Sequence, residues 1–454
     1  MWNLSSQIFD LTEDVLKRKW AGDFDGEIEL IDAMLARDLP QFLKERLEFE
    51  RDVALALPKQ YPYTRKEALA KVRALIPDFT MDELDALELN RVIEYIYVRG
   101  EKRYHTSFLD TMLKVDAGCA HRAGRTQSNA ASEVDKAIEI MKREGVLAYR
   151  ITIREMLKID EQSFIPNAEV RCYLPIPKVC AQQSDITVRT DGAQIASDTA
   201  PQRTAYFQRH SSENLPFEVE FSYVNRCKYI DLYAGEKVDS VLYPNEPAPT
   251  DDDLSEQLPH IAFTPFLRAL AAELRGDESD PLAIARRFYD YITQQIRYSY
   301  MRSYALIERQ AEYCALSGKG DCGIQALLMI ALCRISGIPA RWQSGWEVNS
   351  KSAGCHDWAQ IYLEPYGWVF IDPSYGGGAH RNGDEARRRF YFGNLEPMRM
   401  VANSRYQTPF IPLENWNRVD PYDNQEGEVS INGVGLQEGA FHTEFRTLKL
   451  ERIE

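Results

Sequence analysis

The sequence predicts an α+β chain in three parts, and three changes of pattern along it carry that reading. Apolar residues recur with a helical period in residues 1–147 and alternate with a period of two in 148–248. From 249 to 454, helical and strand-like stretches follow one another. At 454 residues the chain is too long for one ordinary core, and 44% hydrophobic residues suffice for several packed interiors.

In the first part, Phe9, Leu11, Val15 and Leu16 fall at helical spacing, as do Ile28, Leu30, Ile31, Met34 and Leu35. The stretch Met81 to Tyr97 repeats the pattern, with Asp82 and Glu83 in the first turn, where the helix dipole favours carboxylates. An α-helical N-terminal region without a chemical motif is expected. In the second part, Val170, Cys172 and Leu174, then Ile186 and Val188, then Phe217, Val219, Phe221 and Tyr223 alternate with polar residues. Asp191-Gly192 marks a turn between two such runs, and short strands at this spacing predict a β-sandwich. The proline-rich stretch 244–253 reads as a linker. Beyond it, Phe263 to Leu274 and Pro281 to Ile296 are amphipathic, the second opened by Asp280-Pro281 as N-cap and first helical residue. Pro365 to Phe370 and Thr443 to Ile453 have strand character.

The formal net charge of -15 disfavours nucleic acid and anionic membrane as partners. The short basic runs Arg286-Arg287 and Arg387-Arg388-Arg389 read as solvated helix faces. No apolar stretch follows a basic start, and no window approaches the roughly 18 apolar residues that span a bilayer, so a cytoplasmic protein is expected. Eight cysteines without a CxxC pair argue against a disulfide framework and a structural zinc site. Cys314 and Cys355 lack further ligand spacing, and the carboxylates of Asp420 to Glu428 lack the order of an EF-hand loop. That stretch reads as a turn-rich loop, and neither metal nor cofactor is expected.

One cysteine has informative neighbours. Gly318 and Gly320 break structure before Cys322, and a strongly helical apolar run, Ala326 to Cys333, follows it. Cys322 is therefore expected at a helix N-terminus, where exposed N–H groups favour a thiolate and lower the thiol pKa. Gly337-Ile338-Pro339 ends the helix, and a strand from Ala340 to Glu347 is expected next. His356 then leads an alternating run to Leu363, and Trp368 to Asp372 forms the following strand across a turn at Tyr366-Gly367. Hairpin pairing would carry His356 toward Asp372. A thiol enzyme needs this set: a nucleophile, Cys322; a base for its proton, His356; and a carboxylate, Asp372, to orient the imidazole.

The motifs Gly320-Asp321-Cys322-Gly323, Gly337-Ile338-Pro339-Ala340-Arg341, His356-Asp357-Trp358 and Trp368 with Asp372-Pro373 resemble those of the transglutaminase-like superfamily of papain-like thiol enzymes. The resemblance covers about residues 260–375, and the preceding β-sandwich resembles architectures of bacterial members. It implies a core of helices packed on an antiparallel sheet, with Cys322, His356 and Asp372 as a catalytic triad. The oxyanion would be held by the Cys322 N–H and a second upstream donor. In animal transglutaminases that donor is a tryptophan, but none lies between Trp20 and Trp342. Tyr298, Tyr300, Tyr304 or Tyr313 is left for the role, with Tyr313 the first candidate, and Trp346 is a candidate for lining the cleft. The activity implied is hydrolysis of an amide bond (peptide, side-chain amide or glycosyl-amide) through a Cys322 thioester, on a peptide, protein or small amide-bearing substrate. Cross-linking of glutamine to an amine, and a non-catalytic binding scaffold, are the alternatives. A histidine-paired thiolate would make Cys322 the first of the eight cysteines to react with iodoacetamide at pH 6.

Overall fold

In the first part, eight α-helices among the described residues lie between Glu13–Ala21 and Glu133–Glu144. The structure, a computed structural model, describes residues 4–125, 132–235, 238, 240–418, 420–437 and 439–454. Thr64, Thr80 and Ser132 each close a capping box with the acidic residue three positions on, which fixes three helix starts. The region is not all helical. The run Met81 to Tyr97 breaks after the helix Met81–Leu89, and Tyr95–Val98 pairs with Glu101–Tyr104 as a hairpin. Aromatic and β-branched residues favour strand there, and Arg99 and Gly100 both take the positive φ that a tight two-residue hairpin turn requires.

Two antiparallel sheets form the second part. One runs in the order Phe441–Ile453, Val146–Ile159, Phe217–Lys228, Gln183–Arg189. The other runs Val434–Gly435, Glu428–Ile431, Glu169–Pro175, Thr204–His210, Gln194–Ile195. Ile151, Ile153, Leu157, Cys172, Leu174, Phe207 and Phe221 pack into one core. These sheets take strands from both sides of the boundary drawn at 248/249. Phe441–Ile453 pairs along Val146–Ile159, and Glu428–Ile431 pairs with Glu169–Pro175. Pairing over nearly three hundred residues leaves no trace in a local pattern.

The third sheet is antiparallel, in the order Phe392–Gly393, Gly367–Ile371, Ala353–Leu363, Ala340–Val348, Arg399–Asn403. The helices Pro265–Arg275, Pro281–Gln295, Gln310–Ser317 and Cys322–Ile335 pack with it into the largest core. Residues 323–334 of Cys322–Ile335 are all buried, as expected for a helix that is apolar on every side. Trp346, Val348, Met400 and Ala402 instead join the core between the other two sheets, so the two parts share an interior. Gly345 permits this packing: a Cβ there would lie 2.0 Å from the Met400 carbonyl oxygen of the adjoining strand.

The basic run at 387–389 is not a solvated face. Arg388 is buried and pairs with Asp290 at 2.5 Å and Glu385 at 2.7 Å, while Arg387 pairs with Asp135 at 2.9 Å. These ion pairs tie Glu385–Phe390 to two other helices. Among the described residues, no helix is long and apolar enough to cross a membrane.

Candidate active site

Cys322 is the first residue of its helix. Asp321 is the N-cap, its Oδ1 accepting the Ile324 N–H at 3.1 Å, and Gly320 pairs with Tyr298 in a short parallel bridge. Cys322 is half-buried, and Sγ donates to Asp357 Oδ2 at 3.2 Å. Gly323 makes this approach possible. A Cβ there would fall 2.3 Å from the Tyr304 hydroxyl and 2.9 Å from Asp357 Oδ2.

His356 and Asp372 meet where the Ala353–Leu363 and Gly367–Ile371 strands lie side by side. His356 Nε2 is 2.8 Å from Asp372 Oδ2, and both side chains are buried. Asp372 is also the N-cap of Pro373–Arg381, its Oδ1 accepting the Tyr375 N–H at 2.9 Å. Arg399, fully buried, donates Nη2–H to Asp372 Oδ2 at 3.1 Å and Nε–H to Glu396 Oε1 at 2.6 Å. The His356 ring lies against Tyr375, with centroids 4.5 Å apart. A carboxylate held by one N-cap N–H and one guanidinium is fixed in place, and it fixes the imidazole in turn.

Of the three residues singled out in the sequence, two are thus directly bonded and the third is bonded to their neighbour. Successive residues of a strand point to opposite sides. His356 turns toward Asp372, Tyr375 and Arg399, and Asp357 turns toward Cys322. The hydrogen bond of the sulfur runs to Asp357, not to His356. Nothing in the sequence marks Asp357 apart from its place beside His356.

This arrangement reverses the electrostatic expectation for the thiol. Burial, with the Asp357 and Asp321 carboxylates beside it, pushes the Cys322 thiol well up. The helix N-terminus acts the other way, but burial first and the two carboxylates after it set the direction. Asp357 is itself pushed up to about 7, by burial first and by Asp321 among its neighbours, against the lowering pull of His356. Asp321 rises to about 6, mainly through burial. Both carboxyl groups therefore titrate close to neutrality.

The weaker candidates are held elsewhere. The Tyr313 hydroxyl donates to Glu94 Oε1 at 3.0 Å and accepts from Arg302 at 3.3 Å, in a polar cluster facing the N-terminal region. Trp346 is fully buried between Phe221 and Phe445, its indole N–H on the Gln425 carbonyl at 2.6 Å. It does not line the cleft, because its strand turns it into the shared core. Tyr298 and Tyr304 are the tyrosines at the site. The Tyr304 hydroxyl donates to Asp321 Oδ1, and the Cys322 thiol is among the groups that hold the Tyr298 phenol up, after burial.

Two further segments adjoin the site. The 420–428 loop is more than a turn: Gln425 donates Nε2–H to the His356 carbonyl at 3.1 Å and to Asp357 Oδ1 at 2.6 Å. From the N-terminal region, Lys114 Nζ sits 4.0 Å from the Tyr298 ring centroid, and the Tyr300 N–H donates to Thr111 Oγ1 at 3.2 Å. The helical region therefore borders the segment that leads into Cys322.

The model of the Transglutaminase-like superfamily matches residues 268–373, a span that contains Cys322, His356 and Asp372. Among curated proteins, none matches the chain. Among solved structures, the chain is similar to a candidate cysteine protease from Cytophaga hutchinsonii, at 15% identity and a TM-score of 0.43, over 67% of this chain and 91% of that one. It is also similar to the periplasmic domain of TgpA from Pseudomonas aeruginosa, at 16% identity and a TM-score of 0.27, over 58% of this chain and 100% of that one. These are distant likenesses, and it is the family model that makes the assignment. Residues 268–373 of this chain are a domain of the transglutaminase-like superfamily.

Proposed function

We propose that the protein is a cysteine-dependent hydrolase that cleaves an amide bond through a thioester on Cys322. The observation that carries this reading is the buried His356–Asp372 pair at 2.8 Å, braced by Arg399. With Nε2–H donated to Asp372, the imidazole is held in the tautomer whose Nδ1 can accept a proton. This reading requires a side-chain rearrangement in which the Cys322 sulfur leaves Asp357 Oδ2 and meets His356 Nδ1.

Each step then balances. The thiol proton passes to His356 Nδ1, and the thiolate attacks the amide carbon. The tetrahedral intermediate collapses with the C–N bond broken, and the amine leaves with the proton from His356. Water gives a proton back to His356 and its oxygen to the acyl carbon, which releases the acid and restores the thiol. The Cys322 backbone N–H, unbonded within its helix, and the Tyr298 hydroxyl are the donors proposed for the oxyanion. Transfer to an amine differs only in the last acceptor.

A second reading has an observation of its own. A Cys322 sulfur hydrogen-bonded to Asp357 rather than to His356 suits a fold kept as a binding scaffold. Incubation with a glutamine peptide and a labelled primary amine distinguishes the three. Release of ammonia with no label retained supports the hydrolase, and incorporation of label supports the transferase. Activity that survives Cys322→Ala rejects both, and inertness of the wild type toward peptide, side-chain and glycosyl amides favours the scaffold.

A further inference from the structure

A cavity of about 680 Å³ lies where the β-sandwich, the 246–257 segment and the edge of the third sheet meet. It is separate from the site above but close to it. Trp342 lines the cavity, and its ring also reaches within 3.1 Å of where a Cβ on Gly323 would stand.

The cavity lining holds four carboxylates and four cations, but they do not all pair with one another. Each of its four carboxylates has a partner. Glu246 pairs with Arg341 and Asp252 with Arg405. Asp253 accepts the Thr250 N–H at 2.8 Å, and Glu256 accepts the Phe263 N–H. Two buried cations of the lining, Lys178 and Arg334, stand in no ion pair among the described residues, although Glu246 acts on Lys178 and Asp253 and Asp252 act on Arg334. Lys178, 5% exposed, donates only to the Ser404 hydroxyl, and Arg334, 8% exposed, donates to the carbonyls of Ala340 and Ser255. The Trp342 indole N–H, on a side chain 3% exposed, has no partner at all. A buried ammonium that stands in no ion pair is costly, and burial lowers the Lys178 pKa to about 8. A buried indole N–H normally finds an acceptor. Lys178 and the Trp342 N–H are both donors, so the ligand that matches the two is an acceptor, and a carboxylate offers one oxygen to each.

We infer that this cavity binds a carboxylate, with the Lys178 ammonium and the Trp342 indole N–H on its oxygens and the rest of the molecule against Tyr406 and Arg334. The volume lies within the range of small-molecule sites and admits either a free organic acid or the C-terminal end of a peptide. The inference stands whether or not Cys322 is a nucleophile.

The test uses the full chain and three probes: N-acetyl-dialanine with a free carboxylate, the same peptide as its C-terminal amide, and glutarate. Binding is read by tryptophan fluorescence and by protection of Lys178 from acetylation, mapped by mass spectrometry. At least one of the two acids is expected to protect Lys178 and to bind about tenfold or more tightly than the amide. Protection by the peptide acid alone assigns a chain terminus as ligand, and protection by glutarate assigns a free acid. Lys178→Met should lose the preference for acid over amide while melting no lower, because it removes a buried charge that stands in no ion pair. Trp342→Phe should weaken the same binding, as a second variant. Equal binding of acid and amide, an unchanged preference in Lys178→Met, or no binding by either acid would overturn the inference.

Discussion

Cys322 Sγ donates its hydrogen bond to Asp357 Oδ2 at 3.2 Å, on the residue next to His356. That bond stabilises the thiol against the thiolate, since a carboxylate beside a sulfur opposes a second negative charge. Asp357→Asn keeps the shape and removes the charge, so the Cys322 pKa should fall. Iodoacetamide labelling of Cys322, followed by peptide mass mapping across pH, should be several-fold faster in Asp357→Asn than in wild type at pH 7. The two rates should converge at alkaline pH, where both sulfurs are ionised. Superimposable pH profiles would show that Asp357 does not control the thiol.

Asp372→Asn separates orientation from structure. An asparagine Oδ1 can still cap Pro373–Arg381, so the helix start survives. The amide cannot hold an imidazolium, and it can present an N–H to Nε2 and enforce the wrong tautomer. Turnover by Asp372→Asn should fall about 10³- to 10⁴-fold with KM little changed. A loss confined to KM would assign Asp372 to substrate binding instead.

The parts of this site that the sequence disclosed are those with local signatures. The glycine breaks before Cys322 and the apolar run after it mark a helix start, and the run from His356 to Leu363 with the turn signal at Tyr366-Gly367 marks a hairpin. Those features also carry the family resemblance. What stayed hidden depends on contacts distant in sequence. Arg399 reaches Asp372 from a strand that only Gly345 allows so close, and Gln425 reaches Asp357 from a loop with no motif. The choice between His356 and Asp357 as partner of the sulfur is one of side-chain direction on a twisted strand. Residue order cannot specify it. The same limit explains Trp346, whose spacing suits the cleft but whose ring faces the other core, and the strands 428–431 and 441–453, whose partners lie before residue 176.

Arg399 is the residue whose loss should cost most. It is fully buried between Asp372 and Glu396, and its removal leaves two carboxylates without their cation. Arg399→Met should lower stability by about 3–5 kcal/mol in urea unfolding. Adding Asp372→Asn should restore part of it, because one of the two unpaired charges is then gone. Strict additivity of the two changes would show that the pair does not interact.

Gly323 gives a steric test of the same neighbourhood. A methyl group there meets the Tyr304 hydroxyl at 2.3 Å, so Gly323→Ala forces the helix start away from Tyr304 and Asp357. Gly323→Ala should destabilise by about 1–3 kcal/mol and lower activity. Tyr304→Phe in the same chain removes the oxygen that clashes, and it should recover much of the stability. No recovery in the double variant would place the strain at Asp357 or Trp342.

Glu155 should set part of the pH dependence of stability. It faces the core between the two sandwich sheets, fully buried, and neither carboxylate oxygen has a partner. Burial holds its pKa well above the ordinary 4.5. The folded chain therefore keeps this proton at pH values where the unfolded chain has lost it. Stability from this residue is present below pH 4.5 and is lost progressively as pH rises toward the folded pKa, because the unfolded state there binds fewer protons. Glu155→Gln, neutral at every pH, should match wild type near pH 4 and exceed it in unfolding free energy at pH 8. A difference between the two that does not change with pH would mean that Glu155 ionises in the fold, with water or a cation reaching it through the sandwich.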